Sequence, residues 1–161
     1  MDSVKIPPQD LEAEKSVLGS IMIDKNAVIK VADSIIPSDF YASANQKIYG
    51  AILDLFSKNE PIDILSVSNI LKSKKELDSI GGNSYLGDLI NSVPSSAHVA
   101  HYAKIVREKR VLRDLISLAA DINEDVFERL KPRAVLEKFG FTRAGKLTPR
   151  VIINQLTGHK K

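Results

Sequence analysis

The chain has 161 residues, of which 43% are hydrophobic, so it can bury one sizeable core, and its length favours one domain with an appendage. It has no cysteine, no apolar h-region behind its N-terminal sequence MDSVKIPPQD, and no apolar run approaching the roughly 20 residues of a membrane span. These features argue against a secreted or membrane-spanning protein, and we expect a cytoplasmic one.

The net charge of +3 is unevenly distributed along the chain. Residues 129–161 carry nine Lys or Arg and one Glu, net +8, whereas residues 1–128 are net −5. We interpret this basic tail first as a solvated extension, and second as a phosphate-binding arm. If the tail contacts nucleic acid, the residues expected to do so are Lys131, Arg133, Arg143, Lys146 and Arg150.

Residues 1–94 predict a compact head of short helices, and the fold class is therefore all-α with an orthogonal helical bundle. Asp10, Ser43 and Asp63 are the predicted N-caps of three of these helices. Glu12 and Glu14 fall in the first turn of the first helix, where we expect them to face solvent and to interact favourably with the helix dipole. The apolar positions expected to face the core are Leu11, Val17, Leu18, Ile21, Met22, Val28, Val31, Ala32, Ile35, Ile48, Ala51, Ile52, Leu55, Phe56, Leu65, Val67, Ile70 and Leu71.

Residues 95–128 predict one long helix that begins at Ser95 or Ser96, the first arm of a helical hairpin, and residues 129–161 form the tail. Apolar residues recur along this helix at spacings of three and four, which predicts a continuous apolar stripe. A helix of this length extends beyond what a small head can cover. We therefore expect part of the stripe to pack against a second helix or another subunit.

No catalytic, cofactor-binding or metal-binding motif is evident in the sequence. The segment from Gly82 to Gly87 has the glycine spacing of a phosphate loop, but it continues with Asp88 in place of the required Lys. His98 and His101 share a helical face without any further ligand at metal-binding spacing. We expect the chain alone to hydrolyse no ATP.

Several separate strings nevertheless occur together and in one order: PPQDLEAEKSVLGSIMID, SDFY, PIDILSVSNILK, and LDSIGGNSYLGDLINSVPSSAHVAHYAKIVREKRVLRDLISLA. Over about residues 6–122 the chain resembles the N-terminal domain of the bacterial replicative DNA helicase, the DnaB family. After Ile122 the resemblance ends, because the acidic, leucine-rich second hairpin helix of that family is replaced by a sequence interrupted at Pro132, Gly140 and Gly145.

The resemblance implies a collar domain that packs subunits into a dimer or hexameric ring and docks primase in the primosome, with a helicase loader as a further partner. It implies that ATP and magnesium are used by a separate C-terminal motor that this chain is too short to contain. Tyr85, Ile116 and Ile122 match the family's primase-contacting positions. The apolar stripe adds Leu112, Leu115 and Ala119 as the expected subunit interface.

Two alternatives stay open. Tyr85 can equally be a core ring with its hydroxyl at the surface, and Ile116 and Ile122 can both belong to the core face of the helix. The other alternative concerns function: the chain could be a nucleic-acid-binding regulator that interferes with the helicase through its basic tail, with DNA contact otherwise weak or indirect.

Overall fold

The computed structural model describes residues 6–93 and 96–127, where every regular element is helical and no strand occurs, so the all-α prediction is confirmed. The α-helices are α1 (Leu11–Ile23), α2 (Ser43–Ser57), α3 (Ile64–Ser73), α4 (Gly82–Asn91) and α5 (Val99–Phe127). Short 3₁₀ helices lie at Lys25–Lys30, Pro37–Asp39, Asp78–Ile80 and Ser96–His98. Within these residues no helix is long and apolar enough to cross a membrane.

The described residues fall into two units, with the boundary between Arg110 and Val111, inside α5. In the first unit α1 packs chiefly on α4, and α2 packs on α3. Val99, Ala103 and Val106 of α5 are buried in the same apolar cluster as these four helices. The first turns of the long helix therefore complete the core of the head.

Most of the apolar residues predicted to face the core are buried there. Leu11 and Phe56, each 40% exposed, and Leu65, 70% exposed, are exceptions, and for them the prediction was wrong. Each lies within two residues of the end of its helix. The apolar period continues to the helix ends, but the packed core does not reach that far.

The second predicted helix, over residues 27–36, is a shorter and tighter element than expected. Lys25–Lys30 form a 3₁₀ helix whose start is capped by Asp24, since the Asp24 carboxylate accepts a hydrogen bond of 2.9 Å from the backbone N–H of Asn26. Val28, Val31 and Ile35 are buried as predicted. The β-branched residues of this segment disfavour a regular α-helix but still fill the core.

Glu14 is buried rather than solvated, and here the sequence prediction was wrong. Only 2% of its surface is exposed. One carboxylate oxygen accepts a hydrogen bond from the backbone N–H of Tyr41, and the other accepts from the N–H of Ala42 at 3.3 Å and from Asn45 Nδ2 at 2.8 Å. Helix α2 has Ala42 at its N-cap position, without a side-chain cap of its own. The cap that we predicted from Ser43 is therefore not formed, and Glu14 of α1 instead accepts the N–H of the N-cap residue and of the residue before it.

A second buried carboxylate attaches the base of α5 to the head. Asp39 is fully buried, and its Oδ1 lies 2.7 Å from Arg107 Nη1. Its Oδ2 accepts a hydrogen bond of 2.9 Å from the backbone N–H of Ile36. One turn further along α5, Arg110 donates to the carbonyl of Ser38. The part of α5 that belongs to the first unit, up to Arg110, is therefore held in the head by both apolar and charged contacts.

We predict that Glu14→Ala lowers the free energy of unfolding by about 3–5 kcal/mol, because it leaves two backbone N–H groups and the Asn45 amide without their acceptor. Urea denaturation followed by circular dichroism measures this change. Glu12→Ala is the matched control, since Glu12 lies two residues earlier on α1, about half a turn away, with its side chain 79% exposed. Equal unfolding midpoints for the two variants would contradict the role assigned to Glu14.

Gly19 lies where α1 and α4 approach closely, since a Cβ there would lie 2.2 Å from the carbonyl oxygen of Leu89 and 2.6 Å from Val93 Cγ2. We predict that Gly19→Ala destabilises the head by about 1–3 kcal/mol, because the two helices must move apart. Gly50→Ala on α2 is the control: nothing lies within 4 Å of its Cβ position, so it should stabilise by up to about 1 kcal/mol. Thermal unfolding of both variants is the measurement, and a stabilising Gly19→Ala would refute the close packing.

Candidate protein–protein interface

A row of apolar side chains is exposed on the part of α5 that belongs to the second unit. Leu112 is 45% exposed, Leu115 43% and Ile116 57%, and Ala119 is also exposed. Spacings of three and four residues place these four side chains on one face of the helix. We call this row the exposed stripe.

The neighbouring face of the same helical segment is more covered. Val111, Asp114, Leu118 and Ile122 are half-buried, and Asp125 is buried with 9% of its surface exposed. These positions also follow a spacing of three and four. The structure therefore groups Ile116 with Leu112, Leu115 and Ala119, and it separates Ile122 from them.

The exposed stripe is the kind of surface that a partner normally covers. Leaving one Leu or Ile in water rather than burying it forgoes about 1.5–3 kcal/mol. A contiguous apolar row is more informative than single exposed apolar residues, which occur on every protein. Leu65, 70% exposed, forms no such row along α3, because no other large apolar residue of that helix is exposed.

Tyr85 lies on α4 in the first unit, and its ring is only half-buried. Its hydroxyl donates a hydrogen bond of 2.8 Å to Oδ1 of Asn45, which is fully buried. Burial raises the pKa of the Tyr85 hydroxyl despite the opposing effect of nearby Lys15, so the group is a donor at neutral pH. The hydroxyl is thus the anchored end of a side chain that is still partly accessible.

Sequence reasoning missed Asn45, which connects Tyr85 to Glu14. In the sequence, Asn45 is simply a polar residue in the first turn of α2. Asn is common near the start of a helix, so its presence there indicates no special role. Both hydrogen-bond partners come from other helices. A periodicity within one helix cannot identify such a residue.

The basic residues proposed for nucleic-acid contact, Lys131, Arg133, Arg143, Lys146 and Arg150, lie outside the described residues. In residues 6–93 and 96–127, no group of three or more His, Cys, Asp or Glu side chains is arranged to hold a metal ion. The exposed stripe and Tyr85 are therefore the candidate functional features of the described part of the chain.

Comparisons with known proteins agree on one family. The family model for the DnaB-like helicase N-terminal domain matches residues 6–108. The replicative DNA helicase DnaB of Geobacillus stearothermophilus is 44% identical over 127 residues, which are 79% of this chain and 28% of that protein. The chain thus spans less than a third of the length of this relative.

Two solved structures resemble the chain in fold. The crystal structure of the N-terminal domain of DnaB helicase from Mycobacterium tuberculosis matches with a TM-score of 0.80 and 39% identity, over 83% of this chain and 95% of that one. The structure of a DnaB-like replicative helicase and its interactions with primase matches with a TM-score of 0.69 and 29% identity, over 80% of this chain and 30% of that one.

Proposed function

The chain belongs to the family of DnaB-like helicase N-terminal domains, and from that membership we propose that it associates subunits of a replicative DNA helicase and docks primase. We assign no ATP hydrolysis to the described residues. Any motor activity belongs to the part of the relatives' sequences that this chain does not match. A cytoplasmic location is part of the proposal, because replicative helicases act on chromosomal DNA.

The exposed stripe is the observation that carries the proposal. Leu112, Leu115 and Ala119 are proposed as the subunit interface, where the stripe of one copy packs against an apolar face of another. Two helices that pair through apolar residues spaced by three and four gain stability from burying them together. Such a pairing removes from water the side chains that a single copy exposes.

Primase is proposed as the second partner, with Tyr85, Ile116 and Ile122 as contacts. The similarity to a helicase whose structure was solved with its primase interactions supports this choice of partner. Ile116, at 57%, is more exposed than Leu112 and Leu115 of the exposed stripe. Ile122 is half-buried and could contribute only part of its side chain.

Ile116→Asp tests both roles. We predict that the variant self-associates less and binds primase at least about tenfold more weakly, because a carboxylate buried in an apolar interface without a partner is strongly unfavourable. Light scattering gives the mass in solution, and calorimetry with the primase of the same organism gives the affinity. The dissociated variant should remain folded and helical by circular dichroism, since Ile116 is 57% exposed in a single copy, and it should lose only the stability that association adds.

Leu65→Asp is the matched control, because it also places a carboxylate at an exposed apolar position, 70% exposed, but on α3. It should change neither the mass nor the primase affinity. The proposal fails if the wild type is monomeric and does not bind primase. It also fails if the wild type is a monomer whose melting temperature falls sharply on Ile116→Asp, since Ile116 would then be an internal core residue.

A further inference from the structure

Tyr85 is connected to two other helices by a short chain of hydrogen bonds. The hydroxyl of Tyr85 on α4 donates to Asn45 Oδ1 at 2.8 Å, and Asn45 Nδ2 on α2 donates to Glu14 Oε2 on α1 at 2.8 Å. Glu14 in turn accepts the backbone N–H groups of Tyr41 and Ala42. Glu14 and Asn45 are both buried in the head, whereas Tyr85 is only half-buried.

The direction of these hydrogen bonds follows from the chemistry of the groups. Both Glu14 carboxylate oxygens accept hydrogen bonds, so Asn45 presents its NH₂ group to Glu14 and its carbonyl oxygen to Tyr85. Tyr85 must then be the donor, which agrees with a pKa raised by burial. Each donor therefore has a complementary acceptor, and the arrangement fixes the orientation of the Asn45 amide.

Asn45 cannot contact a partner itself, because none of its surface is exposed. We propose that Asn45 is a positioning residue, which holds the Tyr85 hydroxyl so that the accessible part of the ring meets primase in a single orientation. This inference rests on the proposed function, in which Tyr85 contacts primase. A side chain that is ordered before binding loses less conformational entropy on binding, so preorganisation increases affinity without adding a contact.

The packing around Tyr85 agrees with a fixed ring. A Cβ placed on Gly81 would lie 3.2 Å from Tyr85 Cβ, so the backbone of the preceding turn lies against the base of the side chain. Gly81 has φ +97°, a backbone conformation that residues other than Gly rarely adopt. The base of Tyr85 is therefore fixed by α4 and the turn before it, and its tip is fixed by Asn45.

A double-mutant cycle on the full chain tests the inference, with binding to the primase of the same organism measured by calorimetry. Asn45→Ala and Tyr85→Phe are each expected to weaken binding about 3- to 10-fold, which corresponds to the loss of one hydrogen bond. The double variant should bind no more weakly than either single variant, because both changes remove the same anchor. Ile52→Val, at a fully buried position of the same helix α2, controls for general destabilisation: it should lower the melting temperature and leave the affinity unchanged.

Four results would overturn the inference. Three of them are an Asn45→Ala variant that binds like the wild type, additive losses in the double variant, and a loss of affinity in Ile52→Val that matches its loss of stability. If Asn45→Ala does not fold, Asn45→Ser replaces it in the cycle, and Tyr85→Phe binding as tightly as the wild type is by itself sufficient to reject the inference. A wild type that does not bind primase would instead refute the primase-docking part of the proposed function.

Discussion

The buried carboxylate of Glu14 is the interaction on which the arrangement of the head most depends. An ion without partners in an apolar interior is strongly unfavourable, so Glu14 can be buried only where several donors converge on it. The start of α2 supplies these donors, which include the backbone N–H groups of Tyr41 and Ala42. The dipole of α2 also favours a negative charge at this end of the helix. Helices α1 and α2 therefore each satisfy a requirement of the other, which fixes how they meet.

Asp39 is a second buried carboxylate with an ion-pair partner in another part of the chain, and it connects the head to α5. Its carboxylate is fully buried beside Arg107, and the backbone N–H of Ile36 satisfies its other oxygen. The two buried acids thus join segments that are distant in sequence: Glu14 holds α2, and Asp39 holds the first turns of α5. Apolar packing alone tolerates small shifts, whereas a buried ion with directional partners does not. We attribute the defined geometry of the head to these two groups.

The sequence could predict those features whose causes are local. Asp10 and Asp63 cap α1 and α3 as expected, because each carboxylate accepts from an N–H three residues away, at 2.9 and 2.8 Å. Most of the core followed from the helical period for the same reason. Glu14 and Asn45 could not be predicted in this way, since their partners lie in other helices. The polar support beneath the candidate site at Tyr85 depends on long-range contacts and was therefore missed.

The long helix shows a further limit of periodicity. Counted along the sequence at about 100° per residue, Leu112, Ile116 and Ala119 fall roughly 100–160° around the helix from Val99. The apolar spacing that suggests a single stripe thus contains two apolar faces in succession. Val99 is fully buried in the head, whereas Leu112 and Ile116 are exposed. Within residues 6–93 and 96–127 the first apolar face completes the core of the head and the second stays exposed, so the second face is the one that we propose for association with another chain.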